Sequence, residues 1–128
     1  RHALKDFYQQ SGFKDLKIPL KNETEQQFFE DLIQVFEEHI EEPDFDNTHL
    51  ARKLNMSQAT LHRKIKAITG EPPARLLRKY RLNRAHEMLK TTDLMVNEVA
   101  YRVGFSDPNH FSAAYKEQFG QPPSETLK

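Results

Sequence analysis

Residues 50–73 and 99–123 are two copies of one pattern, which limits the chain to folds that present the same local unit twice. Leu50 and Ala51 fall on Val99 and Ala100, and Asn55, Met56 and Ser57 fall on Gly104, Phe105 and Ser106, all 49 positions apart. After one inserted residue the separation becomes 50. Leu61, Ile65, Lys66, Gly70, Pro72 and Pro73 then meet Phe111, Tyr115, Lys116, Gly120, Pro122 and Pro123.

The punctuation of the repeat says what the unit is. Asp46 or Asn47 caps a helix through Leu50, Ala51 and Leu54, and Ser57 caps a second helix that Gly70 closes. Two short helices with a tight joint form a helix-turn-helix. Pro72 and Pro73 open a long helix to about residue 90, and the second unit places helices over about 96–103 and 107–119. No alternating β pattern of useful length occurs. The expected fold is all-α, two tandem helix-turn-helix modules joined by a long central helix.

Ahead of the repeat, Phe28, Phe29, Leu32, Ile33, Phe36 and Ile40 recur at helical spacing, and Pro43 stops the run. A capping box over Thr24 and Gln27 predicts the start of this helix, and Glu30, Glu37, Glu38, Glu41 and Glu42 are expected on its wet face. Residues 1–23 are weakly periodic and contain Gly12 and Pro19, as expected of a short helix followed by a linker. The domain expectation is therefore a tether over 1–23 and one folded unit over 24–128, with modules over about 46–70 and 96–119 and a connecting helix over about 73–90. A chain of 128 residues has enough material for a single core. One that opens at Arg1 is expected to be an excised part of a longer protein. No apolar run approaches the roughly 20 residues of a membrane span, so this segment is expected to be soluble and to make no membrane contact.

Net charge is zero, which taken alone argues against a nucleic-acid ligand. The charges are segregated, however. Residues 1–44 hold 5 Lys/Arg against 11 Asp/Glu, a net of −6, and residues 45–128 hold 14 against 8, a net of +6. Between Arg63 and Arg84 eight basic residues face only Glu71, a density suited to phosphates, although Lys and Arg also simply solvate helices.

In the first module's second helix, Leu61, Ile65 and Ile68 form the core stripe, while Ala59, His62, Arg63 and Lys66 share another face. An arginine there can bond bidentately to guanine O6 and N7, a histidine can meet either kind of base edge, and Lys66 can hold a phosphate. Small Ala59 lets the helix lie close to a base. In the second module Phe111, Ala114, Tyr115 and Phe119 are expected inside, with Asn109, His110, Ser112, Ala113 and Lys116 outside on a less basic face, for which plain solvation is an equally good account. The central helix spreads Leu76, Leu77, Tyr80, Leu82, Ala85, Met88 and Leu89 over a wide arc, as a brace packed on several sides would. Its Arg75 and Lys79 point to the wet side, where phosphate contact and solubility weigh equally.

Other function classes find little support. The chain has no cysteine, no glycine-rich phosphate loop and no pair of histidines at metal-ligand spacing, so neither an enzyme nor a cofactor is expected. A lack of cysteine also suits a reducing cytosol. A helical protein-interaction module, using the acidic first helix, is the stronger alternative.

The sequence resembles the DNA-binding domain of the arabinose-regulator (AraC/XylS) family of bacterial transcription factors. The resemblance is densest over residues 98–108, which read EVAYRVGFSDP, and continues through Asn109-His110-Phe111-Ser112 and residues 119–124. LARKLNMS at 50–57, Lys66 to Gly70, and Arg81-Leu82 with Ala85 also match. It implies recognition helices in successive major grooves on one face of duplex DNA. By position, the readers would be Gln58, Ala59, His62 and Arg63, with Lys66 on the backbone, and then Pro108, Asn109, His110, Ser112 and Ala113. Ala113 stands where many relatives carry a long basic or polar side chain, so the second module is expected mainly to position. Met95 occupies a place often taken by a capping residue, so the helix it precedes is expected to start less firmly. The linker and acidic helix resemble the tether of large hybrid two-component regulators, which implies a cytoplasmic output domain whose parent could be membrane-anchored, although single-chain effector-binding regulators share the same C-terminal domain. RNA polymerase, and a homodimer formed through the preceding portion, complete the expected partners.

Overall fold

The computed structural model describes residues 22–126, and every regular element among them is helical. The expected tether lies almost wholly outside the described residues. The order is α1 (Glu23–His39), α2 (Asn47–Lys53), α3 (Gln58–Thr69), α4 (Pro73–Thr91), α5 (Val96–Arg102), α6 (Pro108–Phe119) and a 3₁₀ turn (Pro123–Glu125).

α1 starts earlier than its capping box suggested. Asn22 is the cap, its Oδ1 accepting from the Glu25 amide at 2.9 Å, and Glu23 and Glu25 then complement the positive end of the helix. Asparagine caps somewhat better than threonine, so the upstream residue takes the position. Phe29, Leu32, Ile33 and Phe36 are fully buried, and the Phe36 ring lies 5.5 Å from that of Tyr80 on α4. The acidic face is not wholly wet. Glu37 accepts from Arg84 of α4 at 3.3 Å, and Val35 beside it is buried, so part of this face is covered.

The repeat is realised bond for bond. In the first module the amides of Leu54, Asn55 and Met56 donate to the carbonyls of Leu50, Arg52 and Ala51. In the second, Val103, Gly104 and Phe105 donate to Val99, Tyr101 and Ala100. Both turns pass through a left-handed residue, Asn55 (φ 57) and Gly104 (φ 92), which glycine tolerates best and asparagine next. The inserted residue is Ser106, so the caps that correspond are Ser57, accepting from Thr60, and Asp107, accepting from Asn109. Gly70 and Gly120 close α3 and α6 with φ of 78 and 81, their amides donating to Lys66 and Lys116, each at 2.8 Å. Met95 brings no side-chain cap to α5, but Glu98 reaches back to the Met95 amide at 3.3 Å and supplies half of a capping box.

α4 has 19 residues, a rod of about 28 Å at 1.5 Å per residue. It packs against α3, α5 and α6. Pro73, Leu76, Leu77, Tyr80, Leu82, Ala85 and Leu89 of this helix are buried, Met88 is partly so, and Arg81 joins them. The periodicity did not mark Arg81 as a core position, since a guanidinium is seldom inside a protein without partners. Here it has them, and they reach across the molecule.

Candidate nucleic-acid interface

α3 and α6 are held from behind. Leu61, Ile65 and Ile68 on α3, and Phe111, Ala114 and Tyr115 on α6, are buried against the shared core. That leaves each helix one free side. On α3, Gln58, Ala59, His62, Arg63 and Lys66 are all exposed, and the side chains of His62, Arg63 and Lys66 hold no hydrogen bond or ion pair among the described residues. Gln58 is different. Its amide donates to Thr48 Oγ1 on α2 at 3.1 Å, which fixes the first residue of α3 against the supporting helix.

On α6, Asn109, His110, Ala113 and Lys116 are exposed, and Pro108 and Ser112 are half-buried. Aligning the two helices from their caps puts Arg63 at the position of Ala113, and His62 at that of Ser112. The second surface therefore lacks the long cation of the first. His110 stands edge-on to Phe105, with ring centres 5.8 Å apart at 85°, so its imidazole is steered by the turn before α6.

The first turns of the two helices border neighbouring depressions. A depression of about 300 Å³ is bordered by Gln58, Thr48, Ala74 and Leu77. A second, of about 350 Å³, is bordered by His110, Ser106, Arg78, Ala74 and Leu77. Ala74 and Leu77 belong to both, so the starts of α3 and α6 converge on the same stretch of α4.

The basic residues of α4 divide around this region. Lys79 and Arg75 both pair with Glu71, a half-buried carboxylate at the join between α3 and α4, Arg75 at 3.8 Å. Arg75 lies on the wet side as expected, whereas Lys79 is half-buried beside the carboxylate that it shares with Arg75. Arg78, which apolar periodicity alone does not single out, lines the depression beside His110 and, among the described residues, has only an exposed contact to Glu117 at 3.8 Å. Helical spacing would have marked it, three residues on from Arg75 and one turn on from Ala74.

α6 is fastened to the brace at its far end. His86 Nδ1 lies 2.8 Å from the Tyr115 hydroxyl, which also contacts Thr126 Oγ1 at 2.6 Å, and the imidazole stacks on Phe119 at 4.7 Å. Burial pushes the Tyr115 phenol above its ordinary pKa, against the pull of the Thr126 hydrogen bond, so it stays a neutral donor and acceptor. Among the described residues no group of acidic, histidine or cysteine side chains is placed to hold a metal ion, and no helix is long and apolar enough to cross a membrane.

The model of a family described as "Helix-turn-helix domain" matches residues 50–128. The activator RhaS of Escherichia coli O139:H28 is 40% identical over 76 residues, 59% of this chain and 27% of that protein. Histidine kinase P4 of Formosa agariphila is 30% identical over 101 residues, 79% of this chain and only 7% of the kinase. The chain thus spans a small part of these curated relatives. Among solved structures, a transcriptional regulator from Chromobacterium violaceum, described as containing an AraC-type DNA-binding domain, superposes with a TM-score of 0.74 at 30% identity, covering 82% of this chain and 93% of that one. The DNA-binding domain of the transcriptional factor AdpA, solved in complex with a target DNA, gives a TM-score of 0.69 at 33% identity, covering 74% of this chain and 85% of that one.

Proposed function

The chain belongs to the AraC-type helix-turn-helix family, and from that premise we propose that it binds double-stranded DNA sequence-specifically to regulate transcription, with α3 and α6 entering successive major grooves. The observation that carries this reading is the convergence of Gln58 and His110 on Ala74 and Leu77. Reading helices whose first turns border the same stretch of one rod can meet the same face of a duplex, in neighbouring major grooves.

In this reading Arg63 bonds a guanine edge, His62 and Ala59 contact neighbouring bases, Gln58 holds the helix start, and Lys66 lies on a phosphate. Asn109, His110 and Ser112 make the lighter second set of contacts, with Pro108 and Ala113 giving close approach and Lys116 taking the backbone. The similarity to a short part of a histidine kinase favours a role as one part of a larger signal-responsive regulator, acting in the cytoplasm as its output. Dimerisation would then be supplied by the rest of such a protein, and RNA polymerase would be a partner on the promoter.

Selection of bound duplexes from a random pool tests the proposal. The expected outcome is two short preferred blocks whose centres lie about 10 base pairs apart. A single block, or no enrichment together with salt-insensitive binding to a protein partner, would overturn it in favour of a helical protein-interaction module.

A further inference from the structure

The two modules are copies, yet their turns have different surroundings. Asn55, in the first, is exposed, whereas Gly104, in the second, is buried. A Cβ built on Gly104 would lie 2.3 Å from the Ile40 carbonyl oxygen and 2.8 Å from Arg81 Cζ, so the turn is pressed between the end of α1 and a side chain of α4. Arg81 is 9% exposed; its Nη1 donates to the Gly104 carbonyl at 3.2 Å and its Nη2 to the Glu42 carbonyl at 2.8 Å. One planar guanidinium therefore ties together the central helix, the segment after α1 and the turn that leads into α6.

α6 is thus held to α4 at two separated places: its C-terminal half, through His86 with Tyr115, Asn83 with Gln118 at 3.5 Å and Arg78 with Glu117 at 3.8 Å, and the turn ahead of its N-terminus, through Arg81 with Gly104. Two points fix an orientation that one leaves free to pivot. The first module needs no such tie, because α3 runs into α4 through only Gly70, Glu71 and Pro72. The fork geometry of arginine suits this task better than the single flexible ammonium of lysine.

We infer that Arg81 is the positioning residue that sets the angle between the two reading helices, and through it the half-site spacing the chain accepts on DNA. Arg81 touches no base in this scheme. The spacing half of the inference rests on the DNA-binding reading given above; the angular half does not.

Two measurements on the whole chain test it. Because the chain contains no cysteine, Ala67→Cys on α3 and Ala113→Cys on α6, both exposed, accept a pair of spin labels without background. In the free protein with Arg81 the distance distribution between the labels is expected to be a single narrow peak, and with Arg81→Lys a broadened or shifted one. A broad distribution with Arg81 present, or one unchanged by Arg81→Lys in folded protein, overturns the inference. The second measurement uses duplexes carrying the selected site with one base pair added or removed between its halves. Altered spacing is expected to weaken the natural chain about tenfold, comparable to one mismatched pair, and Arg81→Lys about threefold or less. Mere loss of folded protein lowers binding to every spacing by one factor and leaves that ratio alone, so an unchanged ratio rejects the role in spacing. If Arg81→Lys does not fold, Arg81→Gln, which can still donate to one of the two carbonyls, takes its place: a broadened or shifted label distribution supports the inference, and an unchanged one rejects it. Failure of the natural chain to bind any duplex would sink the DNA-binding reading while leaving the label result standing.

Discussion

Arg63 and its neighbours on α3 carry the sharpest expectation at the scale of single residues. An exposed arginine with no partner among the described residues keeps its donors for an incoming ligand. Arg63→Ala is therefore expected to lower specific affinity by about 1–3 kcal/mol and to relax preference at one base position, measured by selection and titration. Unaltered preference would remove Arg63 from the readers. Asp46 offers a test in the protein alone. Its carboxylate caps α2, accepting from the amides of His49 and Thr48, and sits 2.8 Å from the His49 ring; the His49 backbone bond, with the ring, holds its pKa below the ordinary carboxylate value. A depressed carboxylate stabilises the fold fully above its unfolded pKa of about 3.9 and loses that contribution as pH falls through the lower folded value. Asp46→Asn keeps cap acceptors but not the charge. Its melting temperature, lower than that of the natural chain at neutral pH, is expected to converge with it below about pH 4; parallel curves down to pH 2 would show that the charge contributes nothing.

At the scale of elements, the glycines separate backbone strain from tertiary fit. Gly70, Gly104 and Gly120 all have positive φ, but a Cβ meets nothing within 4 Å at Gly70 and Gly120, whereas at Gly104 it meets the Ile40 carbonyl. Gly120→Ala should thus lose only the left-handed penalty, about 1–2 kcal/mol by urea unfolding. Gly104→Ala should lose clearly more, because the turn must also move off α1 and Arg81. Equal losses would mean that the second turn is not clamped. The repeat announced the glycine in each copy, since a left-handed turn is a local requirement written in local residues. It did not announce which turn would be covered, because that depends on where α1 comes to rest.

The whole molecule segregates charge, with acidic groups on α1 and cations gathered from α3 to α4. DNA binding through several phosphates should weaken steeply with salt, the log-log slope being about −0.9 for each phosphate contacted. Lys66→Ala is expected to weaken all duplexes alike and to make that slope shallower by about one unit. A change confined to sequence choice would move Lys66 from the backbone to the bases. Charge along the sequence is an incomplete guide here. Lys79 and Arg75 stand in the basic run but are claimed by Glu71, and Arg84 by Glu37, so fewer cations remain for a duplex than the run contains.

The helices, their caps, the two modules and the buried stripe of each were legible in the residues, because capping, periodicity and left-handed turns act over only a few positions. Asn22 displaced Thr24 as the first cap by a difference between two similar local signals. Gln58 bonded to Thr48, Arg78 in the depression beside His110, and Arg81 within the core were decided by packing alone. Those contacts join residues 10 to 39 positions apart, and no local rule reports which distant carbonyl, hydroxyl or carboxylate will arrive beside a given side chain. The angle between the copies is set in the same way: each unit is repeated in the sequence, but the guanidinium that orients one against the other meets its acceptors only when α1, α4 and the second turn have come together.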